Sequence, residues 1–435
     1  MGILATARTL AERTPPQRNR YVDLLRAVSI LVVVLGHWTM AAVTVRDGEL
    51  VAGHVLVLAA WTHPFTWVFQ VMPVFFLVGG YANAMSWRSA QRRDETYGTW
   101  LRARVRRLTL PVVPVLLVWF AAGGVALAAG VGWRTLRLAS AVALVPTWFL
   151  AAYVLVVAVA PVTLLAWERW RWWSFAAGAA ASGLVDVVSL STGSLAVGFL
   201  NYLLVWATVH QLGYAWRDGA LDGLPRRAGL LVVGLAGVVL LVVLGPYPVS
   251  MVGVDTATVN NTYPTRVTLL LLGMFQAGVV LLVEPAGRRL VDGARAWSVV
   301  VALNARIMTL YLWHVTAMVG VIGIALLAGG RGLVVEPLTA GWWLTRPLWY
   351  VVLGTVTVGL VALLGRFETP DVDPRPAPPS WRPLAAVVGV CAGLGALAVL
   401  GIADADGLHW WLLVVPLAAL GLGGVVGPPA RLRRR

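Results

Sequence analysis

The sequence predicts an all-α, polytopic membrane bundle of about twelve transmembrane helices. Hydrophobic residues fill 59% of the 435 positions and charged residues only 12%, whereas a soluble domain carries about a quarter charged residues. Uncharged runs long enough to cross roughly 30 Å of hydrocarbon recur along the whole chain. The basic residues sort to one side of those runs, as the positive-inside asymmetry requires. This balance excludes an ordinary cytosolic enzyme, a disordered chain and a soluble nucleic-acid binder, despite a net charge of +15. The single cysteine, Cys391, excludes an internal disulfide and a cysteine-based metal site. No metal is expected. All the basic residues are arginine, which together with the heavy use of Ala, Val, Gly and Leu points to the coding bias of a GC-rich bacterium.

Twelve spans are expected, at about 24–45, 65–87, 108–131, 140–166, 172–192, 196–216, 228–249, 267–284, 307–329, 346–365, 384–403 and 408–427. They do not alternate with the period of barrel strands, which run near ten residues each. A polar, arginine-bearing tail precedes the first run and no small-residue cleavage site follows it, so no cleavable signal peptide is expected. The stretch 46–64, with His54, Trp61 and His63, reads as an outer-face loop. The segment 367–382 (FETPDVDPRPAPPSWR) is rich in proline and charge and reads as an exposed linker. The organisation expected is a cytoplasmic tail (1–20), a ten-span core (21–366), a linker (367–383) and an appended helical hairpin with a basic tail (384–435). With the N-terminus in the cytoplasm, twenty-eight arginines fall inside and six outside. A miscounted span would blur that ratio, so both termini are expected to be cytoplasmic, in a bacterial plasma membrane. Tryptophan is abundant, with 22 residues, and often lies near span ends, as at Trp87, Trp100, Trp133, Trp172, Trp173, Trp342, Trp343, Trp410 and Trp411, most of which read as interfacial anchors.

Ionisable groups within a span are costly and usually face the bundle interior. The first span holds three, in RYVDLLRAVSILVVVLGHW. Asp23 and Arg26 are three residues apart and can pair on one helix face, so a structural interfacial ion pair is their plain alternative. His37 lies about three turns beyond Arg26, some 16 Å along the axis on roughly the same face. The stretch LRARVRRLTLPVVP joins spans two and three and sets Arg104 and Arg107 at helical i, i+3 spacing, with Pro111 four residues on. Two guanidinium forks on one face suit a polyanion, although arginines beside a membrane also bind acidic headgroups and set topology. Span nine contains MTLYLWHVTAM, with Tyr311, Trp313 and His314. Asp186 and His210 are further polar intrusions. Asp186, near the outer end of its span, is expected to cap the helix or to reach water.

These pieces, in this order, resemble the membrane acyltransferase 3 family, which O-acylates sugars, polysaccharides and natural products. The resemblance rests on Arg20, Asp23, Arg26 and His37 in RYVDLLRAVSILVVVLGH. It continues with Phe75, Phe76, Gly79, Gly80 and Tyr81 in PVFFLVGGYANA, with Arg104, Arg107 and Pro111, with Trp148, Phe149 and Leu150, and with Tyr311, Leu312, Trp313 and His314. It covers about 18–365 and leaves out the last two spans. Leu24 stands where the family has glycine, and Gly79 where it has serine. The resemblance implies transfer of an acyl group, acetyl by default, from cytoplasmic acyl-CoA to a hydroxyl of a carbohydrate, glycolipid or secondary metabolite. His37 and His314 are then the candidate catalytic residues. Arg26, Arg104 and Arg107 are candidates for the donor phosphates, and Asp23, Trp148, Tyr311 and Trp313 for substrate binding or support. His37 suits general-base removal of a hydroxyl proton or covalent carriage of the acyl group. His314, Tyr311 and Trp148 are candidate oxyanion donors. A twelve-helix secondary transporter is the alternative function, and a non-catalytic scaffold or sensor a third. Against the transporter, the ionisable groups gather in the first span and beside one loop, with no matching pair in the second half.

Overall fold

The computed structural model describes residues 12, 15, 18–46, 49–254, 258–368, 376 and 378–426. Most of the expected tail 1–20, residues 369–375 and 377 of the linker and the last nine residues of the basic tail lie outside the described residues. The described chain is almost wholly helical. Its helices are α1 (Arg20–Met40), α2 (Met72–Gln91), α3 (Tyr97–Thr109), α4 (Val112–Ala128), α5 (Trp133–Ala143), α6 (Pro146–Trp170), α7 (Trp172–Thr192) and α8 (Asn201–Arg217). They continue with α9 (Leu224–Leu244), α10 (Val267–Leu282), α11 (Glu284–Asp292), α12 (Ala294–Ala305), α13 (Ile307–Leu327), α14 (Ala340–Leu364), α15 (Trp381–Leu400) and α16 (Trp410–Leu422). Two small two-stranded sheets complete it: β1 (Ala41–Arg46) with β2 (Glu49–His54), in the expected outer loop, and β3 (Ala403–Asp404) with β4 (Gly407–Leu408).

Among the described residues nine helices are long and apolar enough to cross a membrane, or up to eleven if each of two bent pairs forms one span. The bends are 42° between α3 and α4 and 53° between α10 and α11. Proline explains both, because it removes a backbone donor and clashes with the preceding turn. Pro111 stands at the first break and Pro285 just after the second. The expected count of twelve is not reached, because the final run forms only the 13-residue α16. At 1.5 Å per residue that is roughly 20 Å, short of the hydrocarbon thickness. The β3–β4 turn occupies the start of the run, and the glycine-rich GLGGVV that follows stops the helix.

The chain divides into two compact units. The first is Met1–Thr44, Glu49–Ser86 and Val159–Ile307. At its heart is α8, in which every residue from Val205 to Trp216 is buried. There α2 meets α8 at paired glycines. A Cβ on Gly80 would run into the His210 carbonyl, and one on Gly213 into the Leu77 carbonyl. Small residues let membrane helices approach backbone to backbone, so Gly80 of the FFLVGG stretch serves helix crossing. α9 and α10 close on each other the same way at Gly234 and Gly278.

Asp186 differs from expectation. It is fully buried and pairs with Arg266 at 3.3 Å. It also accepts from Asn201 Nδ2 (2.8 Å), from the Val267 amide (2.8 Å) and from the Tyr247 hydroxyl (3.1 Å). Burial pushes the Tyr247 phenol well above its ordinary value, so it stays a donor. Four partners compensate the desolvated carboxylate, and together they fasten the 245–266 loop to α7 and α8.

The second unit is Val45–Gly48, Trp87–Ala158 and Met308–Arg435. The final helix pair packs within this unit. α15 packs on α3 and α5, and α16 packs on α4. Thr147 Oγ1 donates to the Leu394 carbonyl (3.1 Å), and Cys391 Sγ to the Ala151 carbonyl (3.2 Å). Buried Arg102 donates to the Pro376 carbonyl at 2.9 Å.

Candidate functional site

The first unit contains Asp23, Arg26 and His37, all on α1. Asn19 caps the helix by accepting the Tyr21 amide (3.2 Å), and Arg20 lies 5.0 Å from the Trp297 ring centre. Asp23 does not take Arg26 as its partner. Both of its oxygens go to Arg18, with Nε at 2.6 Å and Nη2 at 3.0 Å. Arg18 precedes the helix, so its side chain can fold back across the first turn and offer a planar fork to the carboxylate. A side chain already inside the helix has less freedom to do so. The same hydrogen bond raises the Arg18 pKa above its ordinary value. Arg26 is half-buried one turn on. His37, also half-buried, stands in the last turn of α1, where its carbonyl receives the Ala41 amide. His54, which the sequence places only in a loop, lies within electrostatic range of His37.

This unit also holds a buried polar relay that motif reading did not single out. Asn83 Nδ2 donates to His210 Nε2 at 3.2 Å. His210 Nδ1 then donates to the Tyr214 hydroxyl at 2.8 Å, which donates to the Ala160 carbonyl at 3.2 Å. Every group is satisfied in one direction, which assigns the Nδ1–H tautomer to His210. The i, i+4 spacing of His210 and Tyr214 was the available signal. Asn83 and Ala160 come from other helices and left none.

The second unit contains Arg104, Arg107, Trp148, Tyr311, Trp313 and His314. On α3 the buried positions are Trp100, Leu101, Arg102 and Val105, which leaves Arg104 half-buried and Arg107 exposed. Arg104 lies 6.0 Å from the Trp100 ring centre. The WFL and YLWH stretches meet directly. The Tyr311 hydroxyl donates to the Pro146 carbonyl at 2.7 Å, and the Tyr311 ring packs edge-on against Phe149 at 5.6 Å. Trp148 is half-buried beside Phe149, and Trp313 is buried. His314 is fully buried, and its Nδ1–H donates to the Tyr311 carbonyl at 2.6 Å. That bond makes Nε2 the basic nitrogen of the neutral ring. Neutral His314 therefore presents a proton acceptor, and it donates from Nε2 only when protonated. The first turn of α13 is held from the far end of α14. Glu368 accepts the Met308 and Thr309 amides, both at 2.9 Å, and the Thr309 hydroxyl at 2.7 Å.

A family model described as an acyltransferase domain, Acyl_transf_3, matches residues 19–366, well over half of the chain. The chain belongs to the acyltransferase 3 family. As a member it is an enzyme that transfers acyl groups, built on several membrane-crossing helices. The match takes in every residue singled out above in α1, α3, α6 and α13. It stops two residues before Glu368 and leaves out α15 and α16. Neither the curated proteins nor the solved structures searched contain a match to the chain. Among the described residues no cluster of three or more His, Cys, Asp or Glu could hold a metal ion.

Proposed function

We propose that this acyltransferase moves an acyl group, acetyl first, from acyl-CoA to a hydroxyl of a carbohydrate, glycolipid or secondary metabolite. It acts in a bacterial plasma membrane with both termini and the α2–α3 connection on the cytoplasmic side, where the arginines concentrate. Arg104 and Arg107 bind donor phosphates, and Arg26 orients the donor. His37 takes the proton of the acceptor hydroxyl. The hydroxyl oxygen attacks the thioester carbonyl carbon, the carbon–sulfur bond breaks, and the thiolate leaves as the coenzyme thiol once protonated. Trp148 offers an indole N–H to the tetrahedral oxyanion. The Tyr311 hydroxyl is committed to Pro146, so Tyr311 positions His314, with Trp313 as packing support. Asp23 secures the start of α1 through Arg18.

The observation that carries this reading is the buried His314 imidazole, held in one tautomer at the meeting of the WFL and YLWH stretches. A neutral imidazole with one nitrogen donating and the other a proton acceptor is suited to general acid–base work. The test is incubation of membranes with radiolabelled acetyl-CoA and candidate acceptors. Label is expected in a hydroxyl-acylated product, and His37→Ala is expected to abolish it at normal expression. Near-normal turnover in that variant would remove His37 from the mechanism. Counterflow of an unmodified solute without labelled product would return the chain to the transporter reading. Arg104→Gln with Arg107→Gln should raise the donor KM about tenfold or more, as loss of two charge-assisted contacts implies. An unchanged KM would return both arginines to a topological role.

A further inference from the structure

We propose that the first unit carries a separate site for a phosphate ester, built around Arg217. A cavity of about 450 Å³ lies among the starts of α1, α9 and α11, the end of α8 and the middle of α2, and its lining includes Tyr81, Trp216, Arg217, Arg227, Glu284 and Arg288. That volume lies within the usual range of small-molecule sites, roughly 300–1,000 Å³. None of the residues assigned to acyl transfer lines it, so the two proposals stand or fall separately.

The arginines are not equivalent. Arg227 is fully engaged: Nη2 donates to Glu284 (3.0 Å), Nη1 to the Leu281 carbonyl (2.6 Å) and Nε to the Leu221 carbonyl (3.1 Å). Arg288 donates to the other Glu284 oxygen through Nη2 (2.6 Å) and Nε (3.0 Å). Buried Glu284 therefore works as a bracket that fixes two guanidiniums at the cavity wall. Arg217 is different. Its Nη1 is buried with no hydrogen-bond acceptor, and the nearest carboxylate oxygen, on Asp218, is 3.6 Å away. The other Asp218 oxygen is already taken by Trp167 Nε1 (3.0 Å) and Arg171 (3.1 Å). A desolvated guanidinium N–H without an acceptor is costly, and an anion in the cavity removes that cost.

The charge count selects the class of anion. The connected ion pairs at the cavity set Arg171, Arg217, Arg227 and Arg288 against Asp218, Asp222 and Glu284, which leaves one positive charge in excess. A singly charged phosphate ester neutralises it, and its oxygens can reach more than one arginine, as planar guanidiniums favour. The source of such a group is a phospholipid headgroup or a soluble phosphate ester. Basic pockets between helices at the arginine-rich membrane face bind acidic headgroups.

The experiment uses the full chain in nanodiscs. In the soluble arm, the phosphodiester sn-glycero-3-phosphoglycerol, singly charged at neutral pH, is titrated by calorimetry into protein held in phosphatidylcholine. In the lipid arm, the thermal midpoint is compared between phosphatidylcholine and phosphatidylglycerol discs. Saturable binding in the soluble arm assigns a free ester, and a raised midpoint in the lipid arm alone assigns a headgroup. In whichever arm responds, Arg217→Gln should weaken binding at least tenfold or abolish the midpoint shift, whereas Arg169→Gln, an exposed arginine outside the lining, should leave the response intact. Asp222→Asn, at the exposed rim, should strengthen binding severalfold by leaving a second positive charge, which keeps the test decisive if Arg217→Gln misfolds. No response in either arm overturns the site. So does a response that Asp222→Asn leaves unchanged, or one that Arg169→Gln abolishes as fully as Arg217→Gln.

Discussion

α1 and α13 each carry one candidate imidazole, and their first turns are held by very different partners. In the first turn of α1 the charged clamp is local, with Asn19 capping the Tyr21 amide and Arg18 clamping Asp23, while Asn304 reaches the Asp23 carbonyl from α12 at 2.9 Å. The start of α13 is secured by Glu368, about 60 residues away, whose carboxylate meets two amides and a hydroxyl of that turn. A carboxylate at a helix N-terminus satisfies donors that have no partner within the helix and complements the helix dipole. The difference extends to the imidazoles. His37 is half-buried in the last turn of its helix, whereas His314 is fully buried with one nitrogen committed to Tyr311. A local clamp adds no further tie between the helix end and the rest of the chain, and a remote one ties it to whatever positions the clamping residue. Here that residue ends the short 3-10 turn Gly365–Glu368 that follows α14, at the start of the linker to the docked C-terminal pair.

The sharpest way to break this comparison is His314→Gln. An amide cannot cycle a proton, so acyl transfer should fall at least about 100-fold, the usual weight of a general acid–base group, with the thermal midpoint little changed. A loss much smaller than that of His37→Ala would show that the α13 imidazole is structural. Gly80→Ala comes next in size. The added methyl meets backbone at the α2–α8 crossing and cannot be relieved by a rotamer, so a loss of about 1–3 kcal/mol is expected, read as a lowered unfolding midpoint in detergent.

Glu368→Gln against Arg18→Gln then compares the two clamps directly. The remote clamp loses a charged cap, worth about 1–2 kcal/mol. The local clamp loses an ion pair whose arginine is half exposed, worth no more than about 0.5 kcal/mol after solvent screening. If the two variants shift the midpoint equally, the distinction fails. Donor turnover should fall with Glu368→Gln and hold with Arg18→Gln.

The smallest effect is expected at a third pair, part-exposed in the β3–β4 turn. His409 Nε2 lies 2.8 Å from Asp404 in the β3–β4 turn, and its hydrogen bond is the main cause that holds the Asp404 carboxyl below its ordinary value. A carboxyl with a lowered folded pKa stabilises the fold above its ordinary range, near pH 4, and that contribution is lost as pH falls through the lowered value. Midpoints of wild type and Asp404→Asn should therefore differ slightly at pH 6 and converge below about pH 4. A gap that widens on acidification would reverse the assignment.

The membrane class, most of the span positions and the family were legible because they depend on composition, on run length and on motifs read along one helix. The set of motif residues was legible for the same reason, since each lies on a contiguous stretch of chain. The partners of those residues were not. Asp23 appeared to have Arg26 at helical spacing, yet Arg18 reaches it, because the residue before a helix is freer to fold back than one within it. Asp186 appeared to reach water, yet Arg266 and Tyr247 bury it, because the loop carrying them closes over the helix end. Nor does apolar composition alone make a span of α16, which starts only after the β3–β4 pair and reaches 13 residues.

The sequence by itself determined that this chain is a multi-span acyltransferase, because transfer free energy and residue type act position by position. The tertiary structure alone decided that WFL meets YLWH through a Tyr311–Pro146 bond, and that Glu368 holds the start of α13. It alone decided that Gly80 serves a helix crossing and that Arg217 is left with a buried donor. Each of these depends on two segments far apart in the chain arriving within a few ångströms, and side-chain packing between helices selects that arrival.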